Sequence, residues 1–464
     1  MLIRNAELDG QRVDVRLAGP AIAAIGRLDR LAGEAVLEAG GGALLPGLAD
    51  HHLHLWALAA SAASVDCAAV GEPAALAALL AAHAGRPSIR GINYPDEWID
   101  RAWLDAHAPP VPIRIQHRSG RLWTLNGAAL AEAGLAGHPT GRLYDADLQL
   151  RPAGARRPSL AGVGRRLASL GLTQLAEAGH DNGPDEYAAL AAEQASGALP
   201  QQVLLLGGAA LDGLAGTPQL AVGPAKFHLH EDALPEFDGL VDAVRARHAA
   251  GRACAFHCVG EADLVFATAA LAAAGARPGD RIEHASLVAP AMLPELARLP
   301  VTVVTQPGLV AARGDLYRAE LPADRHGWLY RAASLVGAGV PLAAGSDAPY
   351  GPVDPWRALQ AAVDRRTPSG ALLGPTEALS PEQALGLLLG PLADPGGAPR
   401  RVAVGEAADL CLLDRPWAAA RTGLAAVQVR ATWSAGVLIY DESASISPQD
   451  SAVAADRRRP DSAI

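Results

Sequence analysis

Residues 43–55 read ALLPGLADHHLHL, a short apolar run that closes on a group of histidines. The run predicts a β-strand. A strand projects residues i and i+2 to one face, so His52 and His54 point the same way while His51 does not. Two imidazoles converging from one strand are an economical first half of a metal site. Alone the pattern is weak, because solvated and core histidines produce it as well.

Working outward, seven more short apolar strands alternate with Ala/Leu-rich helical stretches: 172–178, 202–208, 225–230, 253–259, 281–286, 301–306 and 340–348. Strands alternating with helices predict a parallel α/β sheet, and eight is the number that closes a (β/α)8 TIM barrel. A ninth candidate, VPIRIQH at 111–117, falls in a segment of about 66–160 read as an insertion between the first two barrel strands. The termini have a different texture. Residues 1–46 and 398–441 are broken into short strands and turns, which predicts one small composite β-sandwich built from both ends around a barrel at 47–397. The polar, aperiodic stretch 442–464 is expected to be a disordered tail.

Chemistry-bearing residues recur where these strands end. Lys226 lies on the fourth, His257 on the fifth, His284 on the sixth and Asp347 on the eighth. Side chains at C-terminal strand ends converge on a barrel axis. Four histidines and a carboxylate suit Zn²⁺, with Mn²⁺ or Fe²⁺ as alternatives. Lys226 stands out further: of 39 Lys plus Arg it is the one lysine. Where charge alone suffices this chain uses arginine, whereas a buried lysine can lose its proton and act as a nucleophile. Its neutral amine can add CO₂ to give a carbamate.

Together Pro46-Gly47-x-x-Asp50-x-His52-x-His54, Lys226, His257, Ile-Glu-His284 and Gly345-Ser-Asp347 resemble the binuclear branch of the amidohydrolase superfamily. The resemblance covers residues 1–440 and is similar to the group containing N-substituted formamide deformylase. It implies His52, His54 and Asp347 on one metal, His257 and His284 on a second, and carbamylated Lys226 bridging them. It implies further that a metal-bridging hydroxide cleaves an amide-type C–N bond, open-chain or cyclic, with Asp347 as general base and then acid. One segment departs from that group: Lys226-Phe-His228-Leu-His230-Glu-Asp232 replaces the usual Asp-Gly after the lysine, so the relatives' substrates do not carry over.

Around this set, His228 shares the facing direction of Lys226 and is a substrate-contact candidate. His117, Arg118 and Asn126 in the insertion could bind a substrate carboxylate or amide. Glu283, beside His284, is expected to point away from the site by strand alternation. A mononuclear deaminase or ester hydrolase of the same superfamily is the alternative. Such deaminases often carry H-x-x-E on the fifth strand, and His257-Cys-Val-Gly-Glu261 is one residue too long. A non-catalytic assembly protein would be expected to lose ligands, and all six are kept.

Composition sets outer limits. A net charge of −10 without a basic stripe argues against nucleic acid. No run of 18 apolar residues points to a membrane span, and the first residues lack a signal-peptide core. Cys67, Cys254, Cys258 and Cys411 have neither disulfide nor zinc-knuckle spacing. These features predict a cytoplasmic enzyme with a small-molecule substrate, and a homo-oligomer is possible.

Overall fold

A computed structural model describes residues 1–144 and 157–445. The described residues separate into two units, Met1–Leu55 with the chain from Leu160 onward, and Trp56–Ser159.

The first unit holds an eight-stranded parallel sheet in sequential order. Its strands are β1 (Leu48–Leu53), β2 (Leu172–Glu177), β3 (Gln202–Gly207), β4 (Leu220–His228), β5 (Cys254–Cys258), β6 (Asp280–His284), β7 (Val301–Thr305) and β8 (Leu342–Ala344). Each falls within or beside the segment expected from sequence. The strands are almost wholly buried, as parallel strands flanked by helices must be. Just past β8 the barrel closes on β1: the Asp347 amide donates to the His52 carbonyl at 2.7 Å and the His54 amide to the Ala348 carbonyl at 2.9 Å. Gly345 permits that approach, because a Cβ there would lie 2.5 Å from both the His52 nitrogen and its Cβ. The Asp50 carboxylate ties the same seam by accepting from the amides of His52 and Ser346.

The run 43–55 is two strands. Leu44–Pro46 pairs antiparallel with Leu410–Leu413, while β1 begins at Leu48. Gly47 sits between them, where a Cβ would strike the Thr173 side chain. Leu44–Pro46 thereby joins a four-stranded sheet with Leu410–Leu413, Val429–Ser434 and Val437–Asp441. A second four-stranded sheet comes from Leu2–Leu8, Gln11–Ala18, Ala21–Gly26 and Val36–Glu38. Ile3, Val15, Ile22, Leu44, Leu410, Leu412 and Trp433 fill the core shared by the two sheets. The composite sandwich is therefore present. Of the stretch 442–464, Glu442–Ser445 forms a short 3-10 turn and the remainder lies outside the described residues.

The second unit has its own five-stranded sheet, ordered Arg142–Tyr144, Leu122–Leu125, Ile113–His117, Ile89–Tyr94 and Val65–Asp66. The ninth strand candidate is thus Ile113–His117, outside the barrel. Ile89, Tyr94, Leu104, Ile113 and Ile115 pack its core. Among the described residues no helix is long and apolar enough to cross a membrane.

Candidate metal centre

The six residues singled out on the barrel strands gather at the C-terminal ends of those strands. The Nε2 of His54 lies 3.2 Å from Asp347 Oδ1, and that of His52 lies 3.6 Å from the same oxygen. His284 packs its ring 4.6 Å from that of His52, and His257 packs 4.4 Å from His284. One ligand atom from each of His52, His284 and Asp347 falls within 4.8 Å of the other two. This tight group joins residues that the resemblance assigned to different metals.

Each central imidazole is held from behind. His52 Nδ1 is 2.5 Å from Glu283 Oε2, and His284 Nδ1 is 2.9 Å from Gln306 Oε1. With Nδ1 donating to an oxygen, the Nε2 lone pair of each ring is left for a metal. His284 Nε2 is buried with no hydrogen-bond partner. Burial and the Lys226 charge hold His52 low, at about 3. Burial lowers His257 and His284 too, so these rings are neutral ligands at neutral pH. For His54, burial acts downward, but the bond and charge of Asp347 overcome it and raise the ring. Burial acts upward on Asp347, yet the His54 bond and the charges of His284 and His52 hold it ionised.

Lys226 completes the group. It is only 8 % exposed, and its Nζ has no hydrogen-bond partner among the described residues. Burial lowers its pKa against the upward pull of Glu283 and Asp347. An unpartnered buried amine is costly unless something else binds it.

Glu283 corrects the sequence reading. It faces inward with Arg281, two residues earlier on β6, and alternation breaks only after it, where His284 at φ +69° and Ala285 at φ +44° let His284 reach the site as well. Behind it, Arg281 Nε pairs with Glu283 Oε1 at 2.7 Å while Arg281 Nη2 donates to the His51 carbonyl. Both side chains are essentially inaccessible. Gln306, just past β7, was missed because nothing in its local pattern marks it.

The substrate-contact candidates divide. His228 packs 4.4 Å from His257, with its ring solvent-exposed. His180 and His230, not singled out from sequence, pack 4.7 and 4.3 Å from His228. In the second unit Asn126 is already occupied. Its Oδ1 accepts from the amides of Ile113 and Ala129, capping helix Gly127–Glu132, and its Nδ2 donates to Val111. His117 Nδ1 bonds the Ser119 hydroxyl, and Arg118 is exposed.

The sequence profile of the amidohydrolase family matches residues 35–440. The chain belongs to the amidohydrolase family. An N-substituted formamide deformylase from Arthrobacter pascens is 31% identical over 170 residues, 36% of this chain. That match spans only 31% of the deformylase. Among solved structures, an uncharacterized metal-dependent hydrolase from Pyrococcus furiosus aligns with a TM-score of 0.72 at 21% identity, covering 89% of this chain and 98% of that one. A variant of an atrazine chlorohydrolase from Arthrobacter aurescens, complexed with zinc and atraton, aligns with a TM-score of 0.58 at 14% identity over 98% of each chain. At those identities the structural matches establish the amidohydrolase fold alone.

Proposed function

We propose that this amidohydrolase is a metal-dependent enzyme cleaving an amide-type C–N bond, open-chain or cyclic, in a small molecule. The observation that carries the reading is the convergence of His52, His284 and Asp347 beside the buried, unpartnered amine of Lys226. The residues fit two divalent cations, with zinc preferred and manganese or iron as alternatives, held by His52, His54, Lys226, His257, His284 and Asp347. The similarity to a formamide deformylase and the zinc named for a structural neighbour support this choice.

Bound there, divalent cations would lower the pKa of water towards about 7 and polarise a carbonyl. The chain's own groups supply the rest. Neutral Lys226 can form an N–C bond to CO₂ and lose a proton, becoming an anionic ligand that a protonated amine cannot provide. Asp347, kept ionised, accepts the proton of the attacking water on a carboxylate oxygen and returns it to the leaving amine. Glu283 and Gln306 fix the rings of His52 and His284 so that ligand geometry is set before substrate arrives.

A mononuclear deaminase or ester hydrolase is the second reading, favoured by the fact that His52, His284 and Asp347 alone would hold a single ion. A cytoplasmic location is supported by four cysteines that are all free and buried. The test is turnover by metal-reconstituted protein on a panel of formyl, acyl and cyclic amides. Metal-dependent amine release that falls about 10²–10⁴-fold in Asp347→Asn is expected. Ammonia release from heterocycles alone would move the assignment to a deaminase, and no turnover of any C–N substrate would contradict the proposal.

A further inference from the structure

A second group of metal-binding side chains lies where β5 and β6 begin, at the opposite end of these strands from the centre described above. His248 is in the last turn of helix Phe237–Ala249, Cys254 opens β5 and Asp280 opens β6. One ligand atom from each falls within 4.8 Å of the other two. Along β5, Cys254 and His257 are about 10 Å apart at roughly 3.3 Å per residue, so the two groups are separate.

Backbone contacts hold this group in place. Asp280 Oδ1 accepts from the Cys254 amide at 2.8 Å and lies 3.0 Å from His248 Nε2, while Oδ2 accepts from the Arg277 amide at 2.9 Å. Arg277 Nη1 donates to the His248 carbonyl at 2.9 Å and fixes the end of the helix. Asp280 and Cys254 are inaccessible, but the His248 side chain is 12% exposed and opens the group to the surface. The thiols of Cys67 and Cys258 donate to backbone carbonyls at 3.6 and 3.7 Å. Cys254 makes no such bond among the described residues, which leaves its sulfur for another partner. Imidazole, thiolate and carboxylate together suit Zn²⁺ and similar ions, and not Mg²⁺ or Ca²⁺. The two anionic ligands would neutralise a divalent ion, so burial leaves no uncompensated charge.

We propose that His248, Cys254 and Asp280 form a separate structural site for a zinc-like divalent cation, pinning helix Phe237–Ala249 to the starts of β5 and β6. On binding, the Cys254 thiol releases its proton to solvent and the sulfur coordinates the ion. His248 carries its one ring proton on Nδ1, which frees Nε2, and Asp280 Oδ1 exchanges the imidazole hydrogen bond for the cation. Uptake is weak. Burial and the Asp280 charge push the thiol up to about 12, and the Arg277, Arg252 and Arg247 charges reach the same sulfur. The site therefore fills when metal is added and not during purification. It stands whether the catalytic centre holds one ion or two.

Cobalt titration of the metal-loaded protein tests the site apart from turnover, because Co²⁺ takes the same ligands as Zn²⁺. The catalytic ligands are nitrogen and oxygen, so a thiolate-to-cobalt charge-transfer band in the near ultraviolet reports a cysteine ligand. The band should grow to about one equivalent per chain, raise the melting temperature and be displaced by Zn²⁺ but not Mg²⁺. Cys254→Ala should abolish it while keeping the metal already bound. Loss of a mere supporting partner costs 10–100-fold in metal affinity, so His248→Gln should weaken uptake at least about tenfold. No band at saturating cobalt would overturn the proposal and leave the three residues as a polar tie. A band that survives Cys254→Ala, or uptake unchanged in His248→Gln, would overturn it as well.

Discussion

Glu283 Oε2 lies 2.5 Å from His52 Nδ1, and both side chains are almost wholly excluded from solvent. The contact fixes which nitrogen of His52 is free, and Arg281 on the far side keeps the carboxylate charged: burial acts upward on its pKa, but the Arg281 and Lys226 charges hold it well below the ordinary range. Glu283→Gln keeps the shape and removes the charge. Metal affinity should fall about 10–100-fold, read by competition with a chelator. Stability should drop by about 3–5 kcal/mol, because Arg281 is left as a buried, uncompensated cation. Adding Arg281→Met should recover most of the stability in urea melts but not the affinity. A Glu283→Gln protein that binds metal as tightly as the parent would contradict this role.

Gly345 tests whether closure of the barrel and assembly of the site are one event. An alanine Cβ would sit 2.5 Å from the backbone nitrogen of His52, which cannot yield as a flexible side chain would. Gly345→Ala should cost about 2–3 kcal/mol and weaken metal binding together with it. Unchanged affinity in the variant would show that His52 is positioned independently of the seam.

The cysteines give a prediction about reactivity. Burial pushes the Cys67 and Cys254 thiols up to about 12, and Cys258 and Cys411 also upward. A raised thiol pKa leaves almost no thiolate at pH 8, and the thiolate is the reactive form. Native protein should therefore show no rapid labelling by a thiol reagent at that pH, and four equivalents should react once it is unfolded in urea. Rapid native labelling of any cysteine would mean that the barrel, the composite sandwich or the second unit opens readily.

Much of the architecture was legible because it repeats. Eight strands with helices between them announce themselves through pattern, and HxH on one strand with Lys226, His257, His284 and Asp347 on others follows from where barrel strands end. The boundary inside 43–55 was not legible, since one continuous apolar run serves two sheets and only Gly47 marks the change. Glu283 was misread because alternation assumes ordinary strand backbone, and His284 leaves it with a positive φ. Gln306 and His180 lie on loops, where no short-range period shows which way a side chain faces. Their approach to the site depends on how distant segments pack.

The central claim is a two-metal site bridged through Lys226. Elemental analysis of protein purified without chelator, with Lys226→Ala alongside and matched for folding by melting temperature, tests it most directly. About two metals per chain, falling sharply in the variant, is the expected result. One metal or fewer, unchanged by the substitution, would contradict the bridge and favour a single ion on His52, His284 and Asp347.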